Sequence, residues 1–266
     1  MRSIAIMNQK GGVGKTTTTV NLAAALAEAG KTVCVIDMDP QSHATLHFGV
    51  EELPNEEFKS LYDVLVEGTP IAEVRRRIDD KISLIPAHLD LTSAEMQLVG
   101  TVAREQILKN KLLEDKPDYD YLLIDCPPAL GVLTINALTA VDEVFIPLEP
   151  HFLALQGLGK LLLTIEVVVK QLNKQLRLGG VVLCKYEGGT KLAGEVADEV
   201  ETYLQNIAGK NNTWSKAKLF KTRVRKNIAL AEAPSHGVPI LQYAPTSNGA
   251  DDYRSLAQEV LNETGV

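Results

Sequence analysis

The stretch Lys10-Gly11-Gly12-Val13-Gly14-Lys15-Thr16-Thr17 decides how this chain folds. Before it, RSIAIMN at 2–8 is a short β-branched and apolar run. After it, TTTTVNLAAALAEA at 16–29 repeats alanine and leucine on one helical face, with Gly30 placed to cap the helix. KTVCVIDMD at 31–39 then reads as a buried strand. Strand, glycine turn, helix and strand in that order form a βαβ unit with parallel pairing and a right-handed crossover. In that setting the glycines let several backbone N–H groups and the helix N-terminus point at phosphate oxygens. Lys15 would supply a point charge to the β- and γ-phosphates, and Thr16 a hydroxyl to Mg²⁺. The usual spacing GxxxxGK[ST] would need glycine at position 9. This chain has Gln9 there and a second lysine, Lys10, inside the loop.

The theme repeats along the chain. Apolar runs at 82–87, 121–128, 143–149 and 180–186 alternate with helical stretches, the last near 250–262. Continuous apolar strands between amphipathic helices predict an α/β fold, a mostly parallel twisted sheet with helices on both faces. No internal repeat, low-complexity tract or long Ser/Gly linker divides the 266 residues, so 1–266 is read as one domain. The polar, acidic stretch 50–57 is expected to be a surface loop.

Two sets of carboxylates accompany the loop. Asp37 and Asp39 close the second strand in VIDMDPQ, where open α/β sheets place their ligand crevice. Residues two apart on a strand share a face, so both could address one Mg²⁺ and its water. Asp125 follows the apolar run YLLI and precedes Cys126-Pro127-Pro128. It reads either as a metal-directed acid or as a cap of the next helix.

Composition narrows the class. The net charge of −7, 45% apolar and 23% charged residues are those of a globular chain. Cys34, Cys126 and Cys184 lie far apart in apolar runs, without a CxxC pair, and read as reduced buried thiols. No signal peptide or run of about 18 apolar residues is present, and a cytoplasmic location is expected. Taken whole, an acidic chain should be repelled by nucleic acid. Locally the opposite holds: no acid occurs between Glu201 and Glu232, and this interval contains Lys210, Lys216, Lys218, Lys221, Arg223, Arg225 and Lys226. Such a stripe can hold phosphate backbones without sequence preference, or it can be a solvated edge. Trp214 and Phe220 within it read as core anchors.

The loop KGGVGKTT resembles the deviant Walker A motif of the ParA/MinD family of ATPases, and NQKGGVGKTTTTVNLAAALA is closest to the ParA/Soj partition branch. Further matches are PLEPHFLALQGL at 147–158 and LAEAPSHGVPILQYAPTSNGADDY at 230–253. The resemblance implies ATP bound by Lys10, Gly11, Gly12, Val13, Gly14, Lys15, Thr16 and Thr17, with Mg²⁺ served by Thr16, Asp37 and Asp125. It implies that Asp39 orients or deprotonates the attacking water, and that Lys10 reaches the partner's phosphates across an ATP-bound homodimer. A cation supplied in trans can neutralise charge in phosphoryl transfer. The adenine is expected beside Lys185-Tyr186 and residues 223–226.

The implied task is chromosome or plasmid segregation on nonspecific double-stranded DNA at the nucleoid, with slow hydrolysis stimulated by a ParB-like protein. The seven cations of 210–226 would be the DNA contacts. Two arginines common to the branch are replaced, by Gly189 and Ala229; either nearby cations such as Lys191 substitute or DNA binding is weakened. An alternative keeps the ATPase but gives it a protein cargo, such as a microcompartment or chemoreceptor cluster. MinD-like placement at a membrane is disfavoured, because Arg254 stands alone among Asp251, Asp252, Glu259 and Glu263 in the last helix. A nitrogenase-reductase-like cluster would need bridging cysteines that the spacing does not supply.

Overall fold

The computed structural model describes residues 1–51, 58–115, 118–208 and 212–263. Eight strands form one sheet: β1 (Arg2–Ile6), β2 (Val33–Asp37), β3 (Arg76–Arg77), β4 (Ile82–Ile85), β5 (Tyr121–Asp125), β6 (Glu143–Leu148), β7 (Arg177–Tyr186) and β8 (Leu219–Arg225). Their order is β3-β4-β2-β5-β1-β6-β7-β8. All neighbours are parallel except β3, which runs antiparallel along β4 at one edge. The expected mostly parallel sheet is therefore present. The two strands not anticipated, β3 and β8, are its two edges. Edge strands bury one row of neighbours rather than two, so they lack the continuous apolar run that marks β2 or β5.

The eleven α-helices among the described residues are α1 (Lys15–Glu28), α2 (His43–His47), α3 (Ile71–Val74), α4 (Leu91–Gln97), α5 (Ile107–Asp115), α6 (Val132–Ala140), α7 (Ala154–Gln171), α8 (Lys191–Ala208), α9 (Ile228–Glu232), α10 (Ile240–Tyr243) and α11 (Asn248–Asn262). Alternation along each strand divides the core. Ala5, Ile36, Ile124 and Ile146 face a cluster built from α3 to α8, while Ile4, Ile6, Val35 and Leu123 face α1 and α11. Gly30 ends α1 in the left-handed region at φ +92, with its N–H on Ala27 and the next on Leu26, as a helix stop requires.

One close fit was not legible in advance. Gly179 and Gly180 in β7 lie against Phe145 and Phe220, whose rings meet edge to face at 4.9 Å. A Cβ on either glycine would come within 2.5 Å of a ring carbon. Glycine here lets two aromatic side chains from β6 and β8 meet over the backbone of the strand between them.

The predicted loop at 50–57 falls mostly outside the described residues, as does Lys210. Trp214 and Phe220 are buried, as expected of core anchors. The three cysteines are free and buried, and burial pushes the Cys34 and Cys184 thiols up to about 12. Among the described residues no helix is long and apolar enough to cross a membrane.

Candidate functional site

The site follows from the position of β1. It lies in the middle of the sheet, between β5 and β6, where the chain turns to one side for β2 and, after β5, to the other for β6. Ligand crevices of open α/β sheets open at such a reversal, outside the carboxyl ends of the strands. The loop after β1 occupies that place. Gly12 and Gly14 adopt φ +74 and +97, and no side chain caps the N-terminus of α1. The unpaired N–H groups of that helix end are thus available to an anion.

A cavity of about 730 Å³ opens over the loop. Gly11 to Thr17 form one wall, apart from Val13; Asp39, Pro40 and Gln41 form another; Pro127 to Ala129 close the far side. Lys15 is buried at the loop although it carries a charge, which a bound anion would offset. A second cavity of about 360 Å³ adjoins the first, sharing Gly14, Thr17, Lys185, Leu230 and Ala231. Its walls of Cys184, Val224, Ile228 and Tyr253, with Asn227 and Lys226 at its edge, suit a flat apolar ring with a polar rim. This cavity lies at the segments where the adenine is expected.

The acids are arranged differently from one another. Asp125, fully buried at the end of β5, accepts hydrogen bonds from Thr16 Oγ1 at 2.7 Å and Thr19 Oγ1 at 3.0 Å. Asp37 is its partner in the adjacent strand. It accepts from the Thr45 N–H and Oγ1, both at 2.8 Å, and from the Asp39 N–H at 3.1 Å. Burial is the first cause that holds both carboxyls above the usual range; repulsion between Asp37 and Asp125 adds to it for Asp125. A cation at this corner would favour the charged form of both.

The expectation that Asp37 and Asp39 share a strand face needs correction. The strand ends at Asp37, and the backbone turns so that Asp39 lines the cavity while Asp37 is held beneath it by Thr45. Thr16, Asp37 and Asp125 meet just beneath the cavity, with Thr16 bonded to Asp125 and Asp37 beside it in the next strand, and form an all-oxygen set of the kind that suits a small hard cation. Among the described residues no cluster of three or more His, Cys, Asp or Glu could hold a metal alone. The donor set therefore fits Mg²⁺ carried partly by water and phosphate.

Lys10 is not brought to this cavity. It lies on the other side of the loop with Val13, beside Glu149 and His151. The basic stretch also differs from a free stripe. Arg225 is clamped by Asp252, with Nη2 at 2.6 Å from Oδ1, and Lys226 meets Glu187 at 2.5 Å. Lys218 pairs with Glu263 and lies 4.6 Å over the Phe220 ring. The Arg223 guanidinium donates to the carbonyls of Phe220 and Lys221. Lys216 and Lys221 are exposed and form no ion pair with a described residue. The interval is free of acids in sequence, but the fold presents Glu187, Asp252 and Glu263 to it. Thr19, Thr45 and Glu149 are further site-shaping residues that sequence reading missed. Only Thr19, one helical turn after Lys15, had a spacing that could have revealed it.

A glycine phosphate loop between the central strand and its helix, with acids at the ends of two neighbouring strands, defines a P-loop nucleotide-binding protein. Comparison with known proteins narrows this. A family described as an AAA domain matches residues 1–178. The sporulation initiation inhibitor protein Soj of Bacillus subtilis is 45% identical over 258 residues, covering 97% of both chains. The chromosome-partitioning ATPase Soj of Treponema pallidum is 41% identical over 265 residues, covering 99% of this chain and 98% of its own. Among solved structures, cobyrinic acid a,c-diamide synthase from Mycobacterium smegmatis with bound ATP analog and magnesium superposes with a TM-score of 0.80 at 32% identity, over 99% of this chain and 96% of its own. The chain belongs to the Soj/ParA family of chromosome-partitioning ATPases.

Proposed function

We propose that this chain hydrolyses ATP with Mg²⁺ to drive partition of a chromosome or plasmid, cycling between a monomer and an ATP-bound homodimer that holds nonspecific DNA. The observation that carries the reading is the division of labour in one loop. Lys15, Thr16 and Asp39 converge on a single cavity, while Lys10 stands outside it, about half exposed on the other side of the loop. The loop's N–H groups and Lys15 would bind the β- and γ-phosphates. Thr16 and Asp125 would hold the metal, with Asp37 adding negative charge behind them. Bound Mg²⁺ would neutralise charge on the phosphate oxygens. Asp39, lining the same cavity, would orient the attacking water. With one of the two charge-stabilising lysines contributed in trans, a lone subunit would hydrolyse ATP weakly, leaving room for stimulation by a ParB-like partner.

Two measurements test this. An Asp39→Ala protein should retain ATP binding and lose hydrolysis; turnover at the wild-type rate would end the assignment. Retention on nonspecific DNA should require ATP rather than ADP and should fall steeply between two salt concentrations.

The pairing of Arg225, Lys226 and Lys218 with acids of the same chain favours a second reading, an ATPase that positions a protein cargo. ATP-dependent dimerisation without DNA retention would select it. On the first reading the protein works in the cytoplasm on the nucleoid.

A further inference from the structure

The phosphate loop carries two lysines, and the fold sends them to opposite sides. Lys15 is buried beneath the main cavity; Lys10 is about half exposed, with Nζ at 3.4 Å from Glu149 Oε2. Glu149 lies just past the end of β6, in a segment tied to the loop by one side chain. The Asn8 amide donates to the Pro147 carbonyl at 2.7 Å, and its own oxygen accepts the Lys10 N–H at 3.0 Å. That stitch fixes the start of the loop two residues from Glu149 and delivers Lys10 to the carboxylate. The same segment continues into Phe152 and Leu153, both exposed although apolar.

We infer that Glu149 is a positioning residue that holds Lys10 against its own subunit until the polyphosphate of a second copy competes for the ammonium. This rests on the proposal that Lys10 acts across a dimer. The pair is solvated, with Glu149 about one-third exposed, and a pair of that kind shifts an equilibrium only a few-fold. A triphosphate carries several charges and would win the lysine once it is close. A buried pair would be too costly to exchange and would leave the loop locked. Glu149 therefore sets how readily two subunits close: each must surrender its own Lys10 contact before the trans contacts form. Low hydrolysis by the isolated subunit is the consequence.

The test is dimerisation measured by sedimentation with a non-hydrolysable ATP analogue and Mg²⁺, for wild type, Glu149→Gln, Glu149→Asp, Lys10→Ala and the Glu149→Gln/Lys10→Ala double variant. Two pairs open per dimer, so Glu149→Gln should tighten the dimer by between about twofold and about thirtyfold. Glu149→Asp should restore most of the wild-type constant. In the Lys10→Ala background the Glu149→Gln change should have no effect, whereas a general effect of removing a negative charge near phosphate would persist there. Persistence, or a Glu149→Gln dimer no tighter than wild type while Lys10→Ala weakens it, overturns the inference alone. A wild-type protein that stays monomeric with the analogue, or a Lys10→Ala protein that dimerises like wild type, overturns the trans-lysine reading and the inference with it.

Discussion

Thr16 donates its hydroxyl to Asp125 across 2.7 Å, joining the first turn of α1 to the end of β5. The same carboxylate accepts from Thr19 one turn later, so a single buried acid anchors the helix that begins at the phosphate loop. Asp125→Asn should test which role dominates. The amide oxygen can still accept one of the two hydroxyls, and relief of carboxylate burial offsets the loss of the other. We expect a folded protein with a urea midpoint close to wild type, and ATP hydrolysis reduced by about 100-fold or more. A large drop in the midpoint with activity retained would make Asp125 structural only.

The contact of Gly180 with Phe220 predicts a packing defect. A methyl group at 180 would lie 2.5 Å from a ring carbon, and overfilling of this kind costs about 1–3 kcal/mol. Gly180→Ala should lower stability in urea by that amount, and Phe220→Leu in the same chain should recover part of it.

His47, at the end of α2, is buried, and desolvation lowers its pKa to about 4 against a backbone hydrogen bond at Val238 that raises it. It is neutral in the folded chain and protonates more readily unfolded, near pH 6.5. Its contribution is therefore fully present above about pH 6.5 and lost as pH falls toward 4, up to about 3 kcal/mol. Wild type should show that slope between pH 6.5 and 4 in urea titrations. His47→Gln should flatten it.

Glu187 neutralises Lys226 on the exposed edge of the basic stretch. Glu187→Gln should free the lysine, raise nonspecific DNA retention in the presence of ATP and steepen the dependence of log affinity on log salt by up to about 0.9. Both side chains are exposed, so the melting temperature should not move. An unchanged salt slope would show that Lys226 lies off any nucleic-acid footprint.

The phosphate loop was legible because its requirement is local: consecutive N–H groups must converge on one anion, and only glycines at fixed positions allow that curl. The buried strands were legible for a similar reason, since each is an uninterrupted apolar run. Edge strand β8 was not, because four of its seven residues are Lys, Thr or Arg. Nor were its partners. Asp252 lies 27 residues after Arg225, and Glu187 lies 39 before Lys226, and only the sheet order and the docking of α11 bring them together.

The βαβ phosphate loop and the parallel sheet were written in the sequence, because backbone geometry and apolar periodicity are set within a few neighbouring residues; the likeness to Soj/ParA lay in the motif KGGVGKTT and its surroundings. Which charges stay free of a partner was settled by the packing of distant segments. Lys15 faces a cavity, Lys10 is held by Glu149, and at least three cations of the basic stretch are matched by acids distant in sequence. The physical reason is that an ion's availability depends on what lies within a few ångströms of it, and strand order, not sequence position, sets those neighbours.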